Sequence, residues 1–112
     1  MPTIEPEVRY QGENNPLRLK LTEADGNTIS LSSYSIAFYD SNGDLVESFD
    51  STNNASLFSF SNNILSFVWN VDASKYPAGT YYAVWTYVTS TSPAETYKTQ
   101  VRIEVREAPN IS

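Results

Sequence analysis

The stretch YPAGTYYAVWTYV, residues 76–88, decides the fold. Pro77 and Gly79 punctuate the chain, and a run of β-branched and aromatic residues follows. Side chains alternate along a strand, so Tyr81, Ala83, Trp85 and Tyr87 share one face and Tyr82, Val84, Thr86 and Val88 the other. Both faces are apolar. Such a strand has two packing partners in its own fold or one partner in another protein. The expectation is that Tyr81, Ala83, Trp85 and Tyr87 fill the core, and that Tyr82, Val84, Thr86 and Val88 form a contact surface. The bland reading of the second set is a solvated β-face with high strand propensity. Against it, tyrosine and valine without nearby charge resemble an interface core more than a rim.

Working outward from this segment, the period is two nearly everywhere. Leu17, Leu19 and Leu21 alternate with Arg18, Lys20 and Thr22. Ala24-Asp25-Gly26-Asn27 reads as a turn; Tyr34, Ile36 and Phe38 are the next alternating set. Asp40-Ser41-Asn42-Gly43-Asp44 is a second tight turn, with Leu45–Phe49 returning from it. After a polar loop, Leu57–Phe60 and Ile64–Val71 are joined by Ser61-Asn62-Asn63, with Leu65, Phe67, Trp69 and Val71 on one face. Asp72–Tyr76 reads as a helical turn capped by Asp72, and Tyr97–Val105 as the closing strand. Short strands at this spacing predict an all-β, immunoglobulin-like β-sandwich of about seven antiparallel strands. The expected layout is an N-terminal arm or first edge strand over 1–10, the sandwich over 11–106 and a flexible tail over 107–112.

Composition narrows the chemistry. The 112 residues form one domain, long enough for a modest core. There is no cysteine and no histidine. Disulfides, thiol nucleophiles, thiolate metal sites and histidine general bases are thereby excluded. The net charge is −6, from 13 acids and 7 bases, which disfavours nucleic acid and anionic membranes as partners. No apolar run approaches the ~18 residues of a spanning helix. The opening MPTIEPEVRYQ lacks the apolar core of a signal peptide, so synthesis in a cytoplasm is expected. Asp40–Asp44 lacks the distant glutamate of a calcium loop and reads as a hairpin turn. The carboxylates are spread through turns and outward positions, and no apolar pocket marks a raised-pKa acid. No enzyme activity, cofactor or metal is expected.

Two segments carry a family resemblance. LRLKLTEADGNTISLSSYSIAFYDSNGDLV (17–46) and WNVDASKYPAGTYYAVWTYV (69–88) resemble the N-terminal immunoglobulin-like domain of phage baseplate upper proteins. The resemblance runs from Tyr10 to Val105 and implies a structural virion component. That role includes tail or baseplate placement and placement as a capsid accessory or cement protein. It implies other phage structural proteins as partners, homo-oligomers or symmetric copies on a particle, and residence in the virion after synthesis in the host cytoplasm. Val84 departs from the family pattern, which has an acid there.

The alternative from another class is a carbohydrate-binding adhesion module. Trp69 reads as core, so a sugar platform falls to outward tyrosines such as Tyr34, Tyr39 or Tyr82. Arg18, Lys20, Arg102 and Arg106 form a basic strip if the first and last strands are neighbours. Otherwise they are a solvated face that discourages edge-to-edge pairing.

Overall fold

The structure is a computed structural model that describes residues 7–21, 29–91 and 93–107. Eight strands form two sheets. They are β1 (Glu7–Tyr10), β2 (Pro16–Lys20), β3 (Leu31–Asp40), β4 (Leu45–Asp50), β5 (Phe58–Ser61), β6 (Ile64–Val68), β7 (Gly79–Thr89) and β8 (Thr96–Arg106). The larger sheet has the order β1-β8-β7-β3-β4 and the smaller β2-β6-β5.

In the immunoglobulin lettering, β2, β6 and β5 are B, E and D; β8, β7 and β3 are G, F and C. Strand β4 is the additional C′ strand, and the chain is an immunoglobulin-like β-sandwich. Among the described residues the strands number eight instead of about seven, the added one being the edge strand β1. Its pairing with β8 is parallel, so the sandwich is not wholly antiparallel.

A further mark of this fold lies at the start of β7. The Tyr81 hydroxyl donates to the Pro77 carbonyl at 2.6 Å, four residues upstream. This is the tyrosine corner of immunoglobulin-like sandwiches. Burial first, and the Asp40 charge second, raise the Tyr81 hydroxyl pKa, which keeps the donor protonated. Tyr81→Phe is expected to cost about 1 kcal/mol, seen as a melting temperature lower by ~4 °C.

Each sheet contributes one face to the core. Leu17, Phe58, Leu65 and Phe67 come from the smaller sheet, and Ile36, Phe38, Tyr81, Ala83, Trp85, Ile103 and Val105 from the larger. Strand β6 ends at Val68, earlier than its pattern suggests, yet Trp69 and Val71 stay extended enough to remain buried. Phe38 stacks on Trp69 with ring centroids 4.8 Å apart and planes 12° from parallel. Without a disulfide between the sheets, this aromatic pair occupies the centre.

The connections follow from local polar chemistry. Asp72 accepts from the Ser74 amide and hydroxyl, and the Tyr76 amide reaches the Asp72 carbonyl, giving the expected single helical turn. Those hydrogen bonds, led by the Ser74 amide, hold the Asp72 carboxyl below its usual range. Asn62 and Asn63 carry φ values of 52° and 62° in the β5–β6 hairpin, a conformation asparagine tolerates better than most residues. Arg9 is buried at the sandwich edge and donates to the carbonyls of Asn15 and Pro16, tying β1 to the start of β2. The expected turn at Ala24–Asn27 lies outside the described residues.

Candidate protein-binding face

Pairing on both sides of β7 builds the outer face of the larger sheet. Tyr82 stands between Tyr39 of β3 and Arg102 of β8; Val84 stands between Ala37 and Gln100. Thr86 stands between Ser35 and Lys98, and Val88 between Ser33 and Thr96. Residues directly opposite in a ladder point to the same side, so these four rows form one surface. Tyr82, Val84, Thr86 and Val88 are each half-buried, while Tyr81, Ala83 and Trp85 on the opposite side are buried. Tyr87 is partly buried and packs against the core. The alternation expected for residues 81–88 is the observed one, and the four candidate contact residues lie side by side.

The centre of this face carries no charge: Tyr39, Ala37, Ser35, Tyr82, Val84 and Thr86 are neutral. Charge begins on β8. Lys98 donates to the Thr86 hydroxyl at 3.3 Å, and Arg102 pairs with Glu104 at 2.9 Å. Glu104 also accepts from the Thr80 hydroxyl at 3.3 Å. A neutral centre with a charged border is the layout of a protein contact.

At one end the β3–β4 turn rises beside the face. Tyr39, Asp40, Asn42, Tyr82, Val84 and Gln100 line an open depression there. Asp40 Oδ1 accepts from the Asn42 and Asp44 amides at 2.9 and 3.0 Å, so this carboxylate builds the hairpin turn.

The other sequence candidates separate. Tyr34 points inward, with its ring edge-on to Phe58 at 5.3 Å, so it is not an outward sugar platform. Tyr39 and Tyr82 are adjacent on the outer face. Trp69 and Trp85 are core residues. The basic strip does not form as drawn: Arg18 and Lys20 lie on β2 in the smaller sheet, Arg102 and Arg106 on β8 in the larger. The first alternating strand pairs with β6 and not with β8. Among the described residues no group of three histidines, cysteines, aspartates or glutamates converges on one point.

Alternation along the last strand places Gln100 outward with Arg102 and Glu104, as observed, whereas nothing in the sequence marks Ala37 and Ser35 as neighbours of the β7 row. Each sits at an outward position that period two identifies, but which strand neighbours β7 is a property of topology.

No protein-family model and no curated protein matches the chain. Among solved structures, CopC from Methylosinus trichosporium OB3b is similar over 96% of this chain and 89% of that chain, with TM-score 0.59 and 14% identity. The Ig1 domain of mouse SynCAM 2 is 12% identical over 93% of each chain, with TM-score 0.37. The first Ig-like domain of human CD48 antigen is 10% identical over 100% of this chain and 93% of that one, with TM-score 0.33. The likeness to CopC is one of fold alone.

Proposed function

We propose that this chain is a non-catalytic structural subunit of a bacteriophage virion. It docks on a neighbouring protein through the outer face of the larger sheet. One observation carries the docking: the neutral row Tyr82, Val84, Thr86 and Val88 lies flush with Tyr39 and Ala37 at the middle of a sheet whose border is charged. The virion setting is supported by the resemblance of residues 17–46 and 69–88 to phage baseplate domains. Other phage structural proteins are then the partners, in the tail or baseplate or as cement on the capsid. Symmetric copies on a particle add avidity, so each single contact can be weak.

The test is Val84→Asp. Val84 points outward beside Ala37 and Gln100, with Lys98 and Arg102 one row away, so an aspartate there leaves the core untouched and finds cations nearby. A partner that covers the position strips water from the new carboxylate and loses its apolar contact with Val84. The variant is expected to stay folded, with a melting temperature lower by about 4–8 °C, while its occupancy on purified particles falls at least ~tenfold. Wild-type occupancy would reject the docking face, and absence of the wild-type chain from purified particles would reject the virion setting.

A second reading has its own observation. Tyr39 and Tyr82 stand side by side over the depression beside Asp40, Asn42 and Gln100, an aromatic floor with polar walls that suits a saccharide. A glycan-array hit lost in Tyr39→Ala, together with absence from particles, would favour adhesion over assembly.

A further inference from the structure

We propose that the partner presents an acidic protein segment laid along β8. The inference rests on docking through the outer face and names the chemistry of what docks there. It starts from where the seven bases are. Lys75 is paired with Glu47, and Arg9 is buried at the sandwich edge. Arg18 and Lys20 are on the smaller sheet. The remaining three, Lys98, Arg102 and Arg106, all lie on the outward side of β8 and are all exposed.

Their spacing is regular. They recur every fourth residue, ~13 Å apart at ~3.3 Å per residue. An extended acidic segment with carboxylates four residues apart has the same repeat. Glu104 is the acid within this row, and Arg102 and Thr80 already engage it. Among the described residues Lys98 and Arg106 form no ion pair.

The described acids stand mostly elsewhere. Glu13, Asp44 and Asp72 sit in loops, Asp40 borders the depression that Gln100 lines, and Glu95 and Glu107 flank the two ends of β8. Asp50 is at the far edge of the sheet, where it accepts from the amides of Thr52 and Asn53. The Debye length is about 8 Å in physiological salt, so a segment lying on β8 responds to the row beneath it more than to distant loops. A long polyanion samples the acidic ends as well, which disfavours nucleic acid on a chain of net charge −6.

A second copy placed with its β8 over this β8 is disfavoured by the same row. It sets the three cations and one glutamate of each β8 against their equivalents, so six cations meet two anions. Docking on a different, acidic protein turns that repulsion into steering.

The experiment is an amide-shift titration of the whole chain with three probes. The first is a synthetic peptide with glutamate at every fourth position on a Ser/Thr background, long enough to span the row. The second is its glutamine counterpart, and the third a thymidine oligonucleotide of equal length. Expected are saturable shifts on the outward rows of β7 and β8 with the glutamate peptide alone. They should weaken at least ~tenfold as salt rises from about 0.01 to 0.15 M, where the Debye length falls from about 30 to 8 Å. Lys98→Glu/Arg102→Glu should lose them while staying folded, with a small drop in melting temperature from the lost Arg102–Glu104 pair; Lys98→Gln/Arg102→Gln, which adds no like charge beside Glu104, should lose them too. Equal binding of the glutamine peptide, unchanged binding by the charge-reversed chain, or equal binding of the oligonucleotide would each overturn the inference. So would a dimer in sedimentation that Val84→Asp disrupts. If Val84→Asp empties the particle sites while Lys98→Glu/Arg102→Glu fills them normally, the docking face stands and the acidic partner falls.

Discussion

Phe38→Ala is expected to lower the stability of this domain by about 3–5 kcal/mol, the range for deleting a buried phenylalanine. Phe38 is 0% exposed and lies where the two sheets meet. Its ring stacks on Trp69 and meets Phe49, Phe67 and Tyr76 at centroid distances of 6.3, 6.0 and 5.9 Å. Three of the largest buried side chains, Trp69, Tyr76 and Phe67, and the partly buried Phe49 therefore lose a common neighbour at once. They are bulky rings packed on one another, so they have little freedom to collapse into the space. Against a typical total of about 5–15 kcal/mol, the loss is about a fifth or more of what holds the fold. Equilibrium urea unfolding of Phe38→Ala beside Phe38→Leu reads this directly, since leucine keeps most of the volume. A shift below ~1 kcal/mol for the alanine variant would mean that this stack is not the centre of the core.

The second large effect comes with alkali. Tyr76 is 0% exposed, and its hydroxyl donates to Glu47 at 2.7 Å. Burial first, then that hydrogen bond, push its pKa far above the usual tyrosine value; the Trp69 indole works the other way and is outweighed. Tyr81 is raised as well, by burial and the Asp40 charge. The native chain thus holds these protons more tightly than the unfolded chain. The stabilisation is complete below pH 10, where an unfolded tyrosine titrates, and drains away as pH climbs toward the higher native values. Tyr76 alone contributes a loss of about 1.4 kcal/mol per pH unit above 10. Urea midpoints measured from neutral pH upward should be flat and then fall. Tyr76→Phe, less stable at neutral pH for want of the Glu47 bond, should fall with a shallower slope. An equal slope in both proteins would contradict the assignment.

The sandwich and its aromatic core were legible because burial enforces period two. Leu65, Phe67, Trp69 and Val71 declare one face whether or not a ladder extends through all of them, which is why the face was right while the strand end was not. The Asp40–Asp44 and Asp72–Tyr76 turns were legible because their hydrogen bonds are local. Strand β1 was harder: four residues, EVRY, carry too little alternation to specify a parallel partner about a hundred residues away. Tyr34 and Tyr39 differ by an odd number of positions on one strand, so only one of them could face outward. The sequence reading kept both, and the ladder with β7 chose Tyr39. The proposed docking residues followed from alternation within β7, whereas their neighbours on β3 and β8 depend on sheet order, which local patterns do not encode.

The parallel pairing of β1 with β8 fixes how the sandwich would answer a pull on its two ends. The two strands run in the same direction, with Glu7 beside Ile103 and Tyr10 beside Arg106. Tension entering the chain ahead of Glu7 and leaving it beyond Arg106 drags them past each other lengthwise. The bonds of that ladder then stretch together in shear, whereas a hairpin pulled open at its ends peels bond by bond. Arg9, anchored on the carbonyls of Asn15 and Pro16, shares the load with the other sheet. A domain pulled from both ends would transmit the load through its first and last strands, and β8, which also borders the proposed docking face, would carry it.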